Sequence, residues 1–441
     1  MIKGMIMFKA LFKLKLHWQI LIALVLAVLA GIFAGKTAGI AGITFYEIFS
    51  FFGALFMNAL KMIIIPLIVS SIIVGVAGIG GSDGLARMGG RTILYYAATS
   101  LFAILLGLFF VNALTPGIID GQPAQQVLGL DVEQGKMAAA KVAERGVGDI
   151  ADVFLDMVPK NVFAAAANGQ LLGLIFFSLL FGYFMTRIQE AYAEAQYNFW
   201  QGTLEVMMKI TDLVMKFAPI GVFALVAKVI AGMDANEMLS LASTLGWFAL
   251  SVLLALVTHV LVVLPLMLKY VAKVSPARHF KAMSPALLTA FSTASSSATL
   301  PMTMECVEKN AGVSNKTTSF VLPLGATVNM DGTALYECVA AMFIAQAYGI
   351  ELSFTVQFTV VLVALLTSIG VAGIPAASLV AITIILGVIG LPVEALGLIL
   401  AVDRILDMFR TSVNVFSDSC GAVIIGRLEG EKNILQEERS F

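Results

Sequence analysis

Charge is scarce in this chain. Asp, Glu, Lys and Arg together make up 12% of its 441 residues, while 59% are hydrophobic and the mean hydropathy is +0.95. Soluble domains carry roughly twice that share of charge, so most of this chain cannot face water. The formal net charge is −1, which leaves no basic excess to attract nucleic acid. Cysteine is sparser still, at three residues. Cys306, Cys338 and Cys420 are far apart in apolar or small-residue sequence, a pattern without a disulfide framework or zinc site that reads as small core residues. The three histidines, His17, His259 and His279, are as scattered. His259 lies in an apolar helix, where a hydrogen-bonded core histidine is favoured over a metal ligand. The alternating segments of about ten residues that mark a transmembrane β-barrel are missing too.

What the chain has instead is long apolar runs, at 16–35, 44–77, 92–114, 170–186 and 240–268. A hydrocarbon core about 30 Å thick takes about 20 helical residues to cross. The class is therefore an all-α polytopic membrane protein. At the start, "MIKGMIMFKALFKLKLHW" spaces Lys3, Lys9, Lys13 and Lys15 among apolar residues, as an interfacial amphipathic helix over 1–15 would. A secretory signal is the competing reading, but the apolar run from Leu16 is too long for one. Four lysines before the first span place this end in the cytoplasm. Arg87 and Arg91 after the second span, and Lys269, Lys273, Arg278 and Lys281 after the sixth, agree with that orientation, while 116–152 and the loop with Asp234 and Glu237 are richer in acids. Residues 116–160 form one long polar insertion, read as an external loop with some helix. Residues 198–232 read as a long helix kinked at Pro219.

The last third of the chain behaves differently. "FSTASSSATLPMT" (291–303) packs six hydroxyl residues and Pro301 into its first eleven positions, between segments each too short to cross a membrane. "TSIGVAGIPAAS" (367–378) does the same further on. Each is expected to be a re-entrant helical hairpin that turns at mid-depth, because non-helical backbone there is tolerated only when buried in protein or lining a cavity. A span broken by "NMDG" (329–332) follows the first hairpin, and the charged span "DRILDMFRTSVNVFSD" (403–418), read as a second polar-broken helix, follows the second. Hairpin plus polar-broken helix, occurring twice, is the pattern of inverted repeats in secondary transporters, with substrate and ions bound at the midplane. Kinks that serve only close helix packing are the bland reading, and four in one region beside carboxylates fit it poorly.

On a helix each residue advances about 100°, so Asp403, Asp407, Arg410, Asn414 and Asp418 fall within one narrow arc. Thr411 lies at its margin and Ser412 faces away. Each charge at mid-bilayer costs about 2.5–3.5 kcal/mol on insertion scales, so this arc must meet protein, water or ligand. Arg410 offers a planar fork to a carboxylate, and Asp407 one turn away can hold an ammonium: one turn carries both partners for a zwitterion with an acidic side chain. Asp418, Asn414, Asp331, Asn329 and unwound carbonyls are hard oxygen donors suited to an alkali cation. Half-helix starts at "SSS" and at the second hairpin tip suit an α-carboxylate.

Together these motifs resemble the dicarboxylate/amino acid:cation symporter family, which includes excitatory glutamate transporters and archaeal aspartate transporters. The resemblance covers nearly the whole chain and is most specific in 291–303, 321–346, 367–378 and 403–420. It implies eight transmembrane helices plus two re-entrant hairpins in a homotrimer, with a scaffold and an elevator-type transport domain. By that analogy 16–78 (spans 1–2) and 161–232 (spans 4–5) are scaffold. Span 3 (90–115) and 238–428 (span 6, hairpin 1, span 7, hairpin 2, span 8) form the transport domain, 116–160 is the external loop and 429–441 the tail. The location implied is a prokaryotic inner plasma membrane.

The resemblance further implies that Ser295, Ser296, Ser297 and Asn414 hold the substrate α-carboxylate, Asp407 the amino group and Arg410 the side-chain carboxylate. Thr333 and Thr411 would lie nearby, and Gly373, Ile374, Pro375 and Ala377 of the second hairpin would form the gate. Sodium is implied as the coupling ion, with no other cofactor. Its sites would use Asp418 and Asn414; Thr327 and the backbone of Met330, Ser368 and Ile369; and Tyr96, Thr99, Ser100, Asn329 and Asp331. Glu337 stands where proton-coupled relatives carry glutamate and others glutamine, which implies a co-transported proton. One departure is clear: where many relatives place an arginine near the binding aspartate, this chain has Ala294 and Met408. Arg404, one turn before Met408, is the candidate to stand in.

The expected function is therefore sodium-coupled symport of glutamate or aspartate. A proton-coupled C4-dicarboxylate symporter of the same fold is the main alternative, which Asp407 opposes because a dicarboxylate has no amine. An intramembrane serine hydrolase would need a base beside "SSS" that no motif supplies. A channel would be slowed by so specific a set of polar groups.

Overall fold

Long runs of Leu, Ile, Val, Ala and Phe fold into helices, the form in which a chain surrounded by lipid can pair its backbone polar groups within one segment. The computed structural model describes residues 16–40, 42–77, 83–127, 139–140, 155, 158–168, 171–233, 235–368 and 377–435. The interfacial helix expected over 1–15 lies outside the described residues, as do Ile369, Gly373, Ile374 and Pro375 at the second hairpin tip.

Helix α1 is Leu16–Ala34, α2 Phe45–Ala77 and α3 Asp83–Leu114. Short helices α4, Ala124–Val127, and α5, Val162–Ala167, precede α6, Leu171–Met185. Then come α7, Glu190–Lys216, and α8, Ala218–Ala231. The helix expected over 198–232 thus starts earlier, and it breaks at Phe217, where α7 and α8 bend by 52°. Pro219 sits in the first turn of α8, the place where a missing N–H costs nothing. Two tiny antiparallel ribbons, Gly39–Ile40 with Ile43–Thr44 and Ile118–Ile119 with Gln122–Pro123, qualify the all-α expectation.

Helix α9, Ala235–Thr258, runs on through two π-helical turns to Ala272. A hairpin follows, of α10, Pro276–Thr293, and α11, Ser296–Glu305, the two arms packed on each other. Helices α12, Asn315–Val328, and α13, Asp331–Ala347, are separated at Asn329 and Met330, as "NMDG" led us to expect. Helices α14, Phe354–Ser368, and α15, Ala377–Ile389, also pack against each other. The last helix, α16, corrects the sequence reading: it is one unbroken helix of 33 residues, Leu396–Leu428. Its polar residues do not unwind it, because the charges pair along the helix and with neighbours while the backbone keeps its ladder.

By length and apolarity, two helices among the described residues suffice to cross a membrane, Arg87–Leu114 and Glu237–Ala272, and the bent pair α7–α8 makes a third. Shorter apolar stretches lie at Trp18–Ala34, at Phe45–Ala59 and Ile65–Ala77 within α2, at Gly173–Met185 and at Phe354–Ser368. Helices α1, α2, α6, α7 and α8 pack mainly on one another, and α3, α9 and α10 to α16 form a second set. At the chain's end Glu431 accepts hydrogen bonds from Ser314 and Thr317 at the start of α12, and Glu429 pairs with Arg87 and Arg91 of α3. Burial pushes the Glu431 carboxyl up, but these hydrogen bonds outweigh it and hold it below the usual range. The three cysteines are free and buried, as expected.

Candidate functional site

The break between α12 and α13 places two polar residues, Asn329 and Asp331, in the centre of the second helix set. Asp331 is fully buried. Its Oδ1 accepts from Ser100 Oγ of α3 at 2.7 Å, and its Oδ2 from Ser417 Oγ of α16 at 2.6 Å. Asn329 donates to Asp418 Oδ1 at 2.9 Å and to Ser417 Oγ at 3.0 Å, and Thr99 Oγ1 donates to its Oδ1 at 3.3 Å. Tyr96 donates to the Val321 carbonyl at 2.7 Å. The structure therefore brings together Tyr96, Thr99, Ser100, Asn329, Asp331 and Asp418, drawn from three separate helices. Two carboxylates and an amide oxygen, all buried, with hydroxyls around them, form an oxygen-rich cluster of the kind hard cations take.

Two members of this cluster were not singled out as site residues. Ser417 bridges Asn329 and Asp331. His259, fully buried, has its Nε2 2.9 Å from Asp331 Oδ2. The core histidine favoured from sequence is thus hydrogen-bonded, and its partner is a site carboxylate. The signal was present: an ionisable residue within an apolar span needs a polar partner, though periodicity alone does not name it.

One turn away, Asn414 caps the start of α13. Its Oδ1 accepts from the amide of Gly332 at 2.8 Å and of Thr333 at 3.4 Å, and its Nδ2 donates to Thr333 Oγ1 at 3.0 Å. This capping role was not foreseen; it satisfies helix-start donors that would otherwise be orphaned in the core. Gly332 is required for the approach. A Cβ there would lie 2.6 Å from the Arg410 carbonyl oxygen and 3.0 Å from its Cα. Since backbone is the obstacle, Gly332→Ala is expected to cost about 3 kcal/mol or more, read as a fall in the thermal unfolding midpoint of the detergent-purified protein with lost sodium response. A midpoint within a degree of wild type would contradict the contact.

The charged turn of α16 lies next. Arg410 is fully buried; its Nη2 donates to Asp407 Oδ1 at 2.9 Å and to Asp403 Oδ1 at 3.1 Å. Its guanidinium stacks 3.7 Å from the ring centroid of Tyr336 on α13, a favourable cation–π geometry. Nη1 and Nε of Arg410 have no partner, so two of its nitrogens remain free to donate to a further acceptor. Arg404 Nη1 lies 3.2 Å from Asp407 Oδ2. Thr411 is buried, and Ser412 turns away to donate to the Leu287 carbonyl of α10, as the arc foretold.

The first hairpin reaches this turn through Phe291, whose ring meets Phe409 edge-on at 5.1 Å. Ala294 turns the chain with φ +49°. Ser295 then caps α11 by accepting from the Ala298 amide at 3.2 Å, so its hydroxyl is partly spent inside the tip. The first amides of α11, those of Ser296 and Ser297, have no carbonyl behind them in the helix. Thr327 Oγ1 donates to the Leu324 carbonyl, Ser368 Oγ to that of Leu365, and the Met330 carbonyl accepts from Ala334. Each is thus engaged locally. Glu337 is fully buried on α13; Thr367 donates to its Oε2 at 2.9 Å, and its Oε1 has no partner. Ala377 opens α15.

Residues 16–428 match the sodium:dicarboxylate symporter family. The chain is 36% identical over 424 residues to the proton/sodium-glutamate symport protein of Geobacillus stearothermophilus, covering 96% of each chain. It is 36% identical over 417 residues to the proton/glutamate-aspartate symporter of Escherichia coli, covering 95% of this chain and 93% of that one. To excitatory amino acid transporter 1 of Ambystoma tigrinum it is 34% identical over 455 aligned residues, with 92% and 82% covered.

Proposed function

Since this chain belongs to the sodium:dicarboxylate symporter family, we propose that it is a sodium-coupled symporter of acidic amino acids, glutamate or aspartate, in a plasma membrane with its N-terminus in the cytoplasm. The observation that carries the reading is the buried turn of α16, where Asp407 and Arg410 stand one turn apart with two guanidinium nitrogens of Arg410 unpartnered. A zwitterion with an acidic side chain satisfies both: its ammonium goes to Asp407 and its carboxylate to the free nitrogens of the Arg410 guanidinium. The α-carboxylate goes to the Ser295–Ser297 tip, where helix-start amides favour an anion, with Thr333, Thr411 and Asn414 around it. The tip of the second hairpin, Gly373, Ile374, Pro375 and Ala377, closes the pocket.

Sodium ions use the buried oxygens of Tyr96, Thr99, Ser100, Asn329 and Asp331, then Asp418 with Asn414, and then Thr327 with the backbone of Met330, Ser368 and Ile369. The α12–α13 break joins the cation cluster to the substrate turn, and Asn414 links the two by capping α13 beside them. Coupling follows from this sharing, because ordering the break for a cation also orders the cap. The two helix sets correspond to a scaffold and a mobile transport domain with both hairpins re-entrant, assembled as a homotrimer.

The test is uptake into liposomes under an inward sodium gradient. Aspartate or glutamate is expected to be concentrated and succinate far less. Sodium-independent uptake, or succinate carried as well as aspartate, would reject the reading.

Glu337 takes a proton with the loaded carrier. A carboxyl with one hydrogen-bonded oxygen in a low-dielectric interior can exchange a proton as its surroundings change. One proton per cycle makes a one-unit pH gradient, acid outside, worth about 1.4 kcal/mol, or about tenfold in accumulation. Wild type is expected to respond at fixed sodium and clamped voltage, and Glu337→Gln to lose the response. An identical response in both would leave Glu337 a hydrogen-bonding residue.

A further inference from the structure

Transport of an acidic amino acid uses Asp407 and Arg410 but leaves Arg404 without a task. Arg404 and Arg410 lie three positions before and after Asp407, about 60° to either side on the helix. Each takes a different oxygen of the same carboxylate: Arg404 Nη1 is 3.2 Å from Oδ2, and Arg410 Nη2 is 2.9 Å from Oδ1. The two guanidiniums differ in how they are held. Arg410 is fully buried, bonded also to Asp403 and stacked on Tyr336. Arg404 is 6% exposed, and its Nε is buried without a partner. Further along the same helix, Arg427 is tied to the carbonyls of Glu431, Lys432 and Ile434.

A buried guanidinium with so little hydrogen bonding is held by charge, and the missing bonds make the buried position costly. Its next neighbour Ile405 and the nearby Phe409 are 44% and 38% exposed, so an open face lies one helical step away for a long, flexible side chain. Charge gives a reason for its presence. Asp403 and Asp407 are balanced by Arg404 and Arg410, so the turn is neutral when empty. An arriving ammonium finds the Asp407 carboxylate already occupied by a cation.

We propose that Arg404 is a tethered counter-cation, which holds the amine-binding carboxylate of Asp407 in the empty pocket and yields it to the substrate ammonium. This rests on the reading above in which Asp407 receives the amine. Two consequences follow. The amine adds less to affinity than an unopposed ion pair would, because it replaces a cation already present. The empty carrier also returns across the membrane with Asp407 neutralised from within.

The test compares wild type, Arg404→Gln and Arg404→Lys, purified in liposomes with sodium. Inhibition of labelled aspartate uptake by unlabelled aspartate and by succinate, which shares both carboxylates but lacks the amine, isolates the amine's contribution. Arg404→Gln is expected to raise the aspartate-over-succinate preference about tenfold. It should also slow net uptake several-fold more than aspartate–aspartate exchange, which needs no empty return. Arg404→Lys keeps a tethered cation and is expected to stay near wild type in both measurements. A preference that is unchanged or lower in Arg404→Gln, or net uptake and exchange falling together, overturns the proposal and makes Arg404 a support for Asp407. If Arg404→Gln does not fold, a raised preference in Arg404→Lys overturns it independently. Wild-type protein that takes up no acidic amino acid would overturn the transport reading itself; robust wild-type uptake with a failed comparison overturns only the counter-cation.

Discussion

Arg410→Cys is expected to abolish aspartate and glutamate transport while leaving a weak uptake of small neutral amino acids. The Arg410 guanidinium offers its unpartnered nitrogens to the substrate's side-chain carboxylate, and charge-assisted hydrogen bonds are worth about 1.5–3 kcal/mol each, so losing two of them costs about 100-fold or more in affinity. Asp407 and the first hairpin tip remain to hold an amino-acid backbone. The geometry adds a structural cost. Arg410 is fully buried between Asp403, Asp407 and the Tyr336 ring, and breaking a buried pair typically costs about 3–5 kcal/mol. Arg404 offsets part of this by staying on Asp407, but Asp403 loses the Arg410 nitrogen it pairs with. The measurement is competition of labelled serine and aspartate uptake in protein that still elutes as a single species. Unchanged aspartate affinity would show that the carboxylate is read elsewhere. Wholesale misfolding without any change in specificity would make Arg410 a charge balance for its own helix.

Asp331→Asn is expected to raise the sodium concentration needed for half-maximal aspartate binding by about tenfold or more, since a unit charge about 4 Å from a cation is worth about 4 kcal/mol at an effective dielectric of 20. The substitution keeps the shape. Ser100 and Ser417 both donate to Asp331, and their hydroxyls can rotate to accept from an amide, so the packing cost stays near 1–3 kcal/mol. His259 at 2.9 Å can adopt the tautomer that suits an amide group. Sodium dependence should therefore change far more than stability. Asp418→Asn tests the neighbouring carboxylate the same way, with Asn329 as the partner that must adjust. Wild-type sodium dependence in both variants would remove the cation role from this cluster. A large loss of thermal stability without a sodium shift would mark the carboxylates as structural links between α3, α13 and α16.

Sequence alone determined the class of this protein, because hydropathy is a property of each residue and a long apolar run has few stable fates in water. It also determined the polar face of α16, since helical periodicity is local: Asp403, Asp407, Arg410, Asn414 and Asp418 are all buried, as the arc required. The break at Asn329 and Met330 was legible because "NMDG" sits amid helix formers. Tertiary structure decided everything that depends on which helices meet. Ser100 and Asp331 are 231 residues apart in the chain, and His259 and Asp331 are 72 apart, and no periodicity joins residues at such separations. The continuity of α16 was likewise undecidable from composition. Polar residues within a span unwind it only when the backbone finds better partners, and here Asn414 spends its side chain on the start of α13 while the helix beneath stays whole. The pairing of Arg404 with Asp407 lies between the two cases. Spacing put them within reach of each other, but only the packed helix, with Arg410 already on the other oxygen, decided that Asp407 would face two cations.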